Sequence, residues 1–168
     1  NIRVISDHDR GVGIYDHSSQ SGPVTVRDSQ FDLNASGIEA VRLANGSGDV
    51  TLQNNVVTGD AASGAAITLA NRGLDASGLC INQTGSNRDG FSLSGVTGTI
   101  ADSTINVTGD AVVADSSSDV TTNNISESGD CPAVEPIHDY DPDRTVTPPG
   151  TPTPTATPTP TATPTPTA

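Results

Sequence analysis

Lysine, methionine and tryptophan are absent from this chain of 168 residues, and aromatic residues amount to two tyrosines and two phenylalanines. A compact globular core normally leans on large side chains. Here Val, Ile, Leu and Ala recur thinly and regularly instead, which suits a narrow core built in layers. No run of about 18 apolar residues occurs, so no segment reads as a transmembrane helix. There is no glycine-rich phosphate loop, no zinc-ligand spacing and no serine-nucleophile motif. Positive charge is scarce: seven arginines face 20 acidic residues, for a formal net charge of −13. Such a balance repels nucleic acid and anionic membranes, which excludes both as partners. Two readings of the acids stay open, adaptation to high salt and a set of Ca²⁺ sites. Their scatter favours the first, because oxygen-ligand sites need clustered carboxylates. No cofactor is expected, and Ca²⁺ is the one ion the acids would suit.

What the chain does have is a repeat. Five copies begin at Gly11, Gly37, Gly64, Gly90 and Asp110, at intervals of about 20 to 27 residues. A period of this size marks one supersecondary unit per copy, which buries its apolar face only by stacking on its neighbours. Within the copies, apolar residues pair at a spacing of five: Val26/Phe31, Leu52/Val57, Ile100/Ile105 and Val120/Ile125. Between them lies a polar column of Ser29, Asn55, Ser103 and Asn123. The third copy is expected to break this rule at Ile81, with Thr84 in the polar column and Ser86 at the apolar position. Segments such as Val24-Thr25-Val26 and Val50-Thr51-Leu52 alternate as half-buried strands do. Asn and Ser between two such strands supply a sharp bend, since they tolerate unusual dihedrals and bond to backbone. A second strand set precedes them, at Val41-Arg42-Leu43 and Ile67-Thr68-Leu69.

The segments VTLQNNVVTG (50–59), TIADSTINVTG (99–109) and VTTNNISESG (120–129) resemble the strand–bend–strand element of right-handed parallel β-helix proteins with the pectate-lyase-like fold. The expected fold class is therefore all-β, a right-handed parallel β-helix of about five recognisable coils. The alternative is an antiparallel sandwich, which would not repeat one polar column copy after copy. The helix domain is assigned to residues 1–130, a cap or acidic linker to 131–146, and a disordered Thr/Pro-rich stalk to 147–168. Proline at alternate positions in TPTPTA repeats favours an extended spacer without a core. The opening Asn1-Ile2-Arg3-Val4-Ile5 alternates like a strand and reads as the continuation of an upstream part.

Five Asn-X-Ser/Thr sequons stand at Asn34, Asn45, Asn82, Asn106 and Asn124 and are candidate glycosylation sites of an exported chain. Cys80 and Cys131 are the only cysteines and form a candidate disulfide. Alternation points Cys80 outward between the inward Leu79 and Ile81. Two coil spacings, about 10 Å, separate the cysteines unless the cap folds back. The densest cluster of chemical groups is Asp7, His8, Asp9 and Arg10, with Asp16-His17 close behind. Paired carboxylates cleave glycosides. The resemblance to β-helix lyases and glycosidases makes this cluster the catalytic candidate, with a solvated polar turn as the plain alternative. Asp139, Asp141 and Asp143 alternate but lack the glycine and distal glutamate of a helical Ca²⁺ loop. No metal ligand set is assigned.

The absence of lysine, the abundant Asp, the sequons and the Thr/Pro tail together resemble haloarchaeal cell-surface proteins. That resemblance implies an extracellular or cell-surface location and an anchor beyond the tail. The expected function is a non-catalytic exported β-helix module contacting polysaccharide or surface glycan. The alternative is the C-terminal part of a polysaccharide lyase or glycosidase whose active site lies largely upstream.

Overall fold

The computed structural model describes residues 3–6, 12–16 and 21–132. Among the described residues fourteen strands follow one another with no helix between them. The first is β1 (Arg3–Ser6), followed by β2 (Val12–Tyr15), β3 (Val24–Arg27) and β4 (Gln30–Leu33). Next come β5 (Glu39–Leu43), β6 (Val50–Gln53) and β7 (Val56–Gly59), then β8 (Gly64–Ala70), β9 (Gly73–Ser77) and β10 (Cys80–Gln83). The last four are β11 (Arg88–Ser94), β12 (Thr97–Val107), β13 (Val112–Ala114) and β14 (Asp119–Ser126). Every pairing is parallel and joins equivalent strands of successive copies. The result is a parallel β-solenoid of about five turns.

One sheet runs β13-β11-β8-β5-β2. The other runs β1-β4-β7-β10-β12-β9-β6-β3, with β14 on β12. It doubles back because the 11-residue β12 serves two faces, bending at Asp102. In the earlier turns the same bend separates two strands.

Side chains of one parity point inward and stack as columns. Val26, Leu52, Ala76 and Ile100 form one, and Phe31, Val57, Ile81 and Ile105 another. All eight are at most 4% exposed. On the other sheet Val41, Ile67 and Phe91 stack beside Leu43, Leu69 and Leu93. Each aliphatic side chain so buried contributes about 2 kcal/mol, so the narrow core is stabilised turn by turn.

The bends form a column of their own. Asp28 (φ 49°), Asn54 (52°), Gly78 (62°), Asp102 (47°) and Asn124 (53°) all adopt the left-handed conformation. Asp and Asn visit it more readily than other residues with a Cβ, and glycine visits it freely. Their side chains also bond along the stack: the Asn54 amide donates to Asp28 at 3.3 Å and the Asn124 amide to Asp102 at 2.8 Å. One residue on, the buried column Ser29, Asn55 and Ser103 satisfies backbone groups between turns. Asn55 Oδ1 accepts from Ser29 N–H, its amide donates to the Val26 carbonyl, and Ser103 Oγ accepts from Leu79 N–H.

Two details of the sequence reading are corrected. Ile81 lies opposite Val57, so the third turn keeps the spacing of five as Ala76/Ile81, and the polar column there holds Leu79 rather than Thr84. In the last turn, Val120 lies opposite Gly98 and Thr122 opposite Ile100. Val120/Ile125 is therefore two residues out of the expected column, and Asn123 stands beside Ala101 outside the buried polar column. The left-handed bends at Asp102 and Asn124 set this register and outweigh the apolar spacing.

Candidate functional site

Asp7, His8, Asp9 and Arg10 lie outside the described residues, as do His17 and the acidic and Thr/Pro-rich segments from residue 133 onward. Asp16 is described, and it serves the scaffold. Its carboxylate accepts from the backbone amides of Ala44 and Asn45, each at 3.0 Å, and from the Arg72 guanidinium at 2.7 Å. Burial opposes its ionisation, but these donors outweigh burial and hold its pKa below the usual carboxylate value of 3.8.

Arg72 closes the corner between the two sheets. Its Nε donates to the Leu43 carbonyl and its Nη1 to that of Ser47, both at 3.2 Å. Ser47 belongs to the six-residue corner 44–49 between Leu43 and Val50, whereas the equivalent stretch one turn later, 70–73 between Leu69 and Leu74, has four. Arg72 thus fills the space beneath the longer corner and fixes the path that ends at Asp49.

Directly after Arg72 comes Gly73, and here the outer surface opens. A groove of about 370 Å³ lies over β6, β9 and β12, with Asp49, Thr51, Gly73, Asp75 and Thr97 around it and Val50 and Leu74 beneath. Register explains its form. Thr25, Thr51, Asp75, Thr99 and Thr121 stack as one outward row. Thr97 stands between Gly73 and Asp119 in the neighbouring row. Successive members of a row are about 4.8 Å apart. Gly73 has no side chain, and the Asp49 carboxylate stands where one would begin. Nothing in the linear sequence singles out these residues; only the stacking register brings them together.

Other polar clusters bond within the fold, although the buried Gln83 Oε1 and Arg88 Nε have no hydrogen-bond partner among the described residues. Asp115 accepts from the Ser94 hydroxyl at 2.6 Å and from Ser117, Gly95 and Ser118, which hold its carboxyl well below the usual range. Glu39 pairs with Arg42 at 3.1 Å and accepts from Thr68. Arg88 is fully buried; it reaches past Gly64 to the carbonyls of Ile38 and Ser63 at 2.6 and 2.9 Å. Burial pushes its pKa down, against the attraction of Glu39 and Asp89. Among the described residues no group of three His, Cys, Asp or Glu could hold a metal ion, and no helix is long and apolar enough to cross a membrane.

Cys80 and Cys131 are joined by a disulfide with a Cα–Cα distance of 5.4 Å. Cys80 lies opposite Val56 and Thr104 on the outer face, between Leu79 and Ile81, which are 2% and 0% exposed. The chain returns from β14 past Thr104, which Gly129 approaches, and so crosses the two spacings that separate the cysteines. Of the sequons, Asn34, Asn45 and Asn124 are exposed at corners or bends, while Asn82 and Asn106 stand side by side on adjacent strands. The Asn45 amide donates to the Asp16 carbonyl at 2.9 Å and the Asn124 amide to Asp102, which engages both acceptor nitrogens.

No protein-family model, curated protein or solved structure matches this chain.

Proposed function

We propose that this chain is an exported, non-catalytic solenoid module that lays the β6–β9–β12 face against a polysaccharide. The observation that carries the reading is the outward row of hydroxyls interrupted by one carboxylate, Thr25–Thr51–Asp75–Thr99–Thr121, beside an open groove. Sugars are bound through many hydroxyls at once, and a row of evenly spaced acceptors and donors on a rigid sheet meets them with little ordering cost. The inter-turn pitch of about 4.8 Å is comparable to the length of one sugar ring. An extracellular or cell-surface location is supported by the disulfide, which belongs to oxidising compartments, and by the exposed sequons. The strong negative charge disfavours nucleic acid as the partner.

The experiment is turnover and binding on a panel of neutral, acidic and basic polysaccharides, at low and high salt, with and without a chelator. Retention without shortening of the polymer, weakened by Thr51→Val with Thr99→Val, is the expected result. Chelator-sensitive cleavage would replace this reading with a lyase or hydrolase centred on Asp7–Arg10.

A further inference from the structure

We infer that the last turn, β13 and β14, is a polar stopper latched by the Cys80–Cys131 bridge, and that a thiol reductant releases it so that the apolar layer beneath pairs with a second copy of this chain. Shut, the stopper keeps this end of the solenoid from associating. Open, it turns the layer below into an interface.

The stopper follows from the register. The column Val26–Leu52–Ala76–Ile100 ends at Thr122, and Leu43–Leu69–Leu93 ends at Ala114. Both end residues are exposed, whereas Ile100 and Leu93 beneath them are 0% and 3% exposed. Val120 and Ile125, out of their expected column, lie over Gly98 and Ser103 and pack down against the core. Val112 does the same over Phe91. The last turn is thus apolar below and polar above, as the terminal unit of a stacked array must be. Its charged side chains, Asp110, Asp115, Asp119 and Glu127, are all acids and all exposed, so two such ends repel.

The turn is tied at both ends. At its start Asp115 accepts from Ser94 and Gly95, and Ser118 Oγ accepts from the Val96 N–H. At its end the bridge reaches past Thr104 to β10, two strands below β14. A strand held at both ends opens only with its surroundings, whereas one held at its start alone frays from the far end. A dithiol reductant cleaves the bridge, becoming a disulfide itself and leaving Cys80 and Cys131 as thiols. Fraying then uncovers Phe91, Leu93, Ile100 and Ile105, together with the edges of β11 and β12, seven and 11 residues long. A second copy is the occupant these edges favour. It presents the same edges about a two-fold axis, and the four acids have moved away with the opened turn.

Light scattering behind size exclusion, and hydrogen exchange read by mass, test the full chain with and without dithiothreitol. The oxidised chain should run as a monomer. Under reductant, β13 and β14 should exchange at least roughly tenfold faster while β5–β9 keep their protection, and a dimer should grow with concentration. Cys131→Ser should behave in this way without reductant. Ala114→Leu with Thr122→Ile, bridge intact, should also self-associate, because it carries two apolar columns to the outer surface. Both positions are exposed, so the melting temperature should stay near that of the parent chain. Unchanged exchange in β14 on reduction would refute the latch. An opened turn on a chain that stays monomeric at every concentration would refute the second copy as occupant. A monomeric Ala114→Leu/Thr122→Ile chain would refute polarity as the stopper. Loss of protection in β5–β9 as well would show that the bridge holds the whole fold and is no latch.

Discussion

Arg72 donates to Asp16 at 2.7 Å across 56 residues of sequence, and both side chains are buried. The pair ties the first and third turns together through the corner of the second. Removing one member of such a buried pair leaves the other charge without compensation.

Arg72→Ala should therefore destabilise the chain by roughly 3–5 kcal/mol, read by urea denaturation. The same pair sets an acid limit. The Asp16 pKa is lower in the folded chain than the ordinary 3.8, so the unfolded chain takes up the proton first as pH falls. Its contribution is full above that ordinary value and is lost as pH drops through the lower folded one. Asp16→Asn should flatten the acid limb of the stability curve between about pH 5 and pH 2; an unchanged limb would assign it to other carboxylates.

Leu52 is 1% exposed and lies between Val26 and Ala76 in one column. Leu52→Asp places an unpaired charge between layers, at a cost of several kcal/mol. Circular dichroism should show loss of the cooperative melt, whereas an unaltered melt would contradict the inward column.

The bend at Asn54 has φ 52°. Asn54→Gly should be nearly neutral, because glycine adopts this conformation freely. Asn54→Ala should cost about 1–2 kcal/mol. Chemical denaturation of the two variants side by side separates backbone conformation from the lost bond to Asp28.

The Cys80–Cys131 bridge spans 51 residues. Closing a loop of that size restricts the unfolded chain by about 4 kcal/mol in the chain-entropy treatment. Cys131→Ser should lower the denaturation midpoint accordingly. Hydrogen exchange should show faster exchange in residues 127–131, while β5–β9 keep their protection relative to the global unfolding limit.

Much of the scaffold was legible in the sequence because stacking repeats its demands every turn. The pairs Leu52/Val57 and Ile100/Ile105 announce both faces of the folded-back sheet, and Asn55 and Ser103 announce the polar column beside them. Ile81 was assigned to the wrong face because its true partner, Ala76, is a weak apolar signal beside the stronger run Leu79-Cys80-Ile81. Val120/Ile125 kept the right spacing but the wrong register, since backbone bends at Asp102 and Asn124 decide the alignment there. The groove was not legible at all. Thr51, Asp75 and Thr97 are far apart along the chain, and a missing side chain at Gly73 becomes meaningful only once its neighbours above and below are known. Arg72 likewise reads as an ordinary corner residue until its three acceptors are seen.

The six-residue corner 44–49 and its four-residue equivalent 70–73 join the same two faces, yet the strands on either side keep one ladder. Chain length at this corner is thus uncoupled from strand alignment. It makes the corner a grafting port: a foreign peptide spliced at Gly46 would be displayed at the edge of the stacked sheets, near the groove that Asp49 and Thr51 line, without altering the register of any turn.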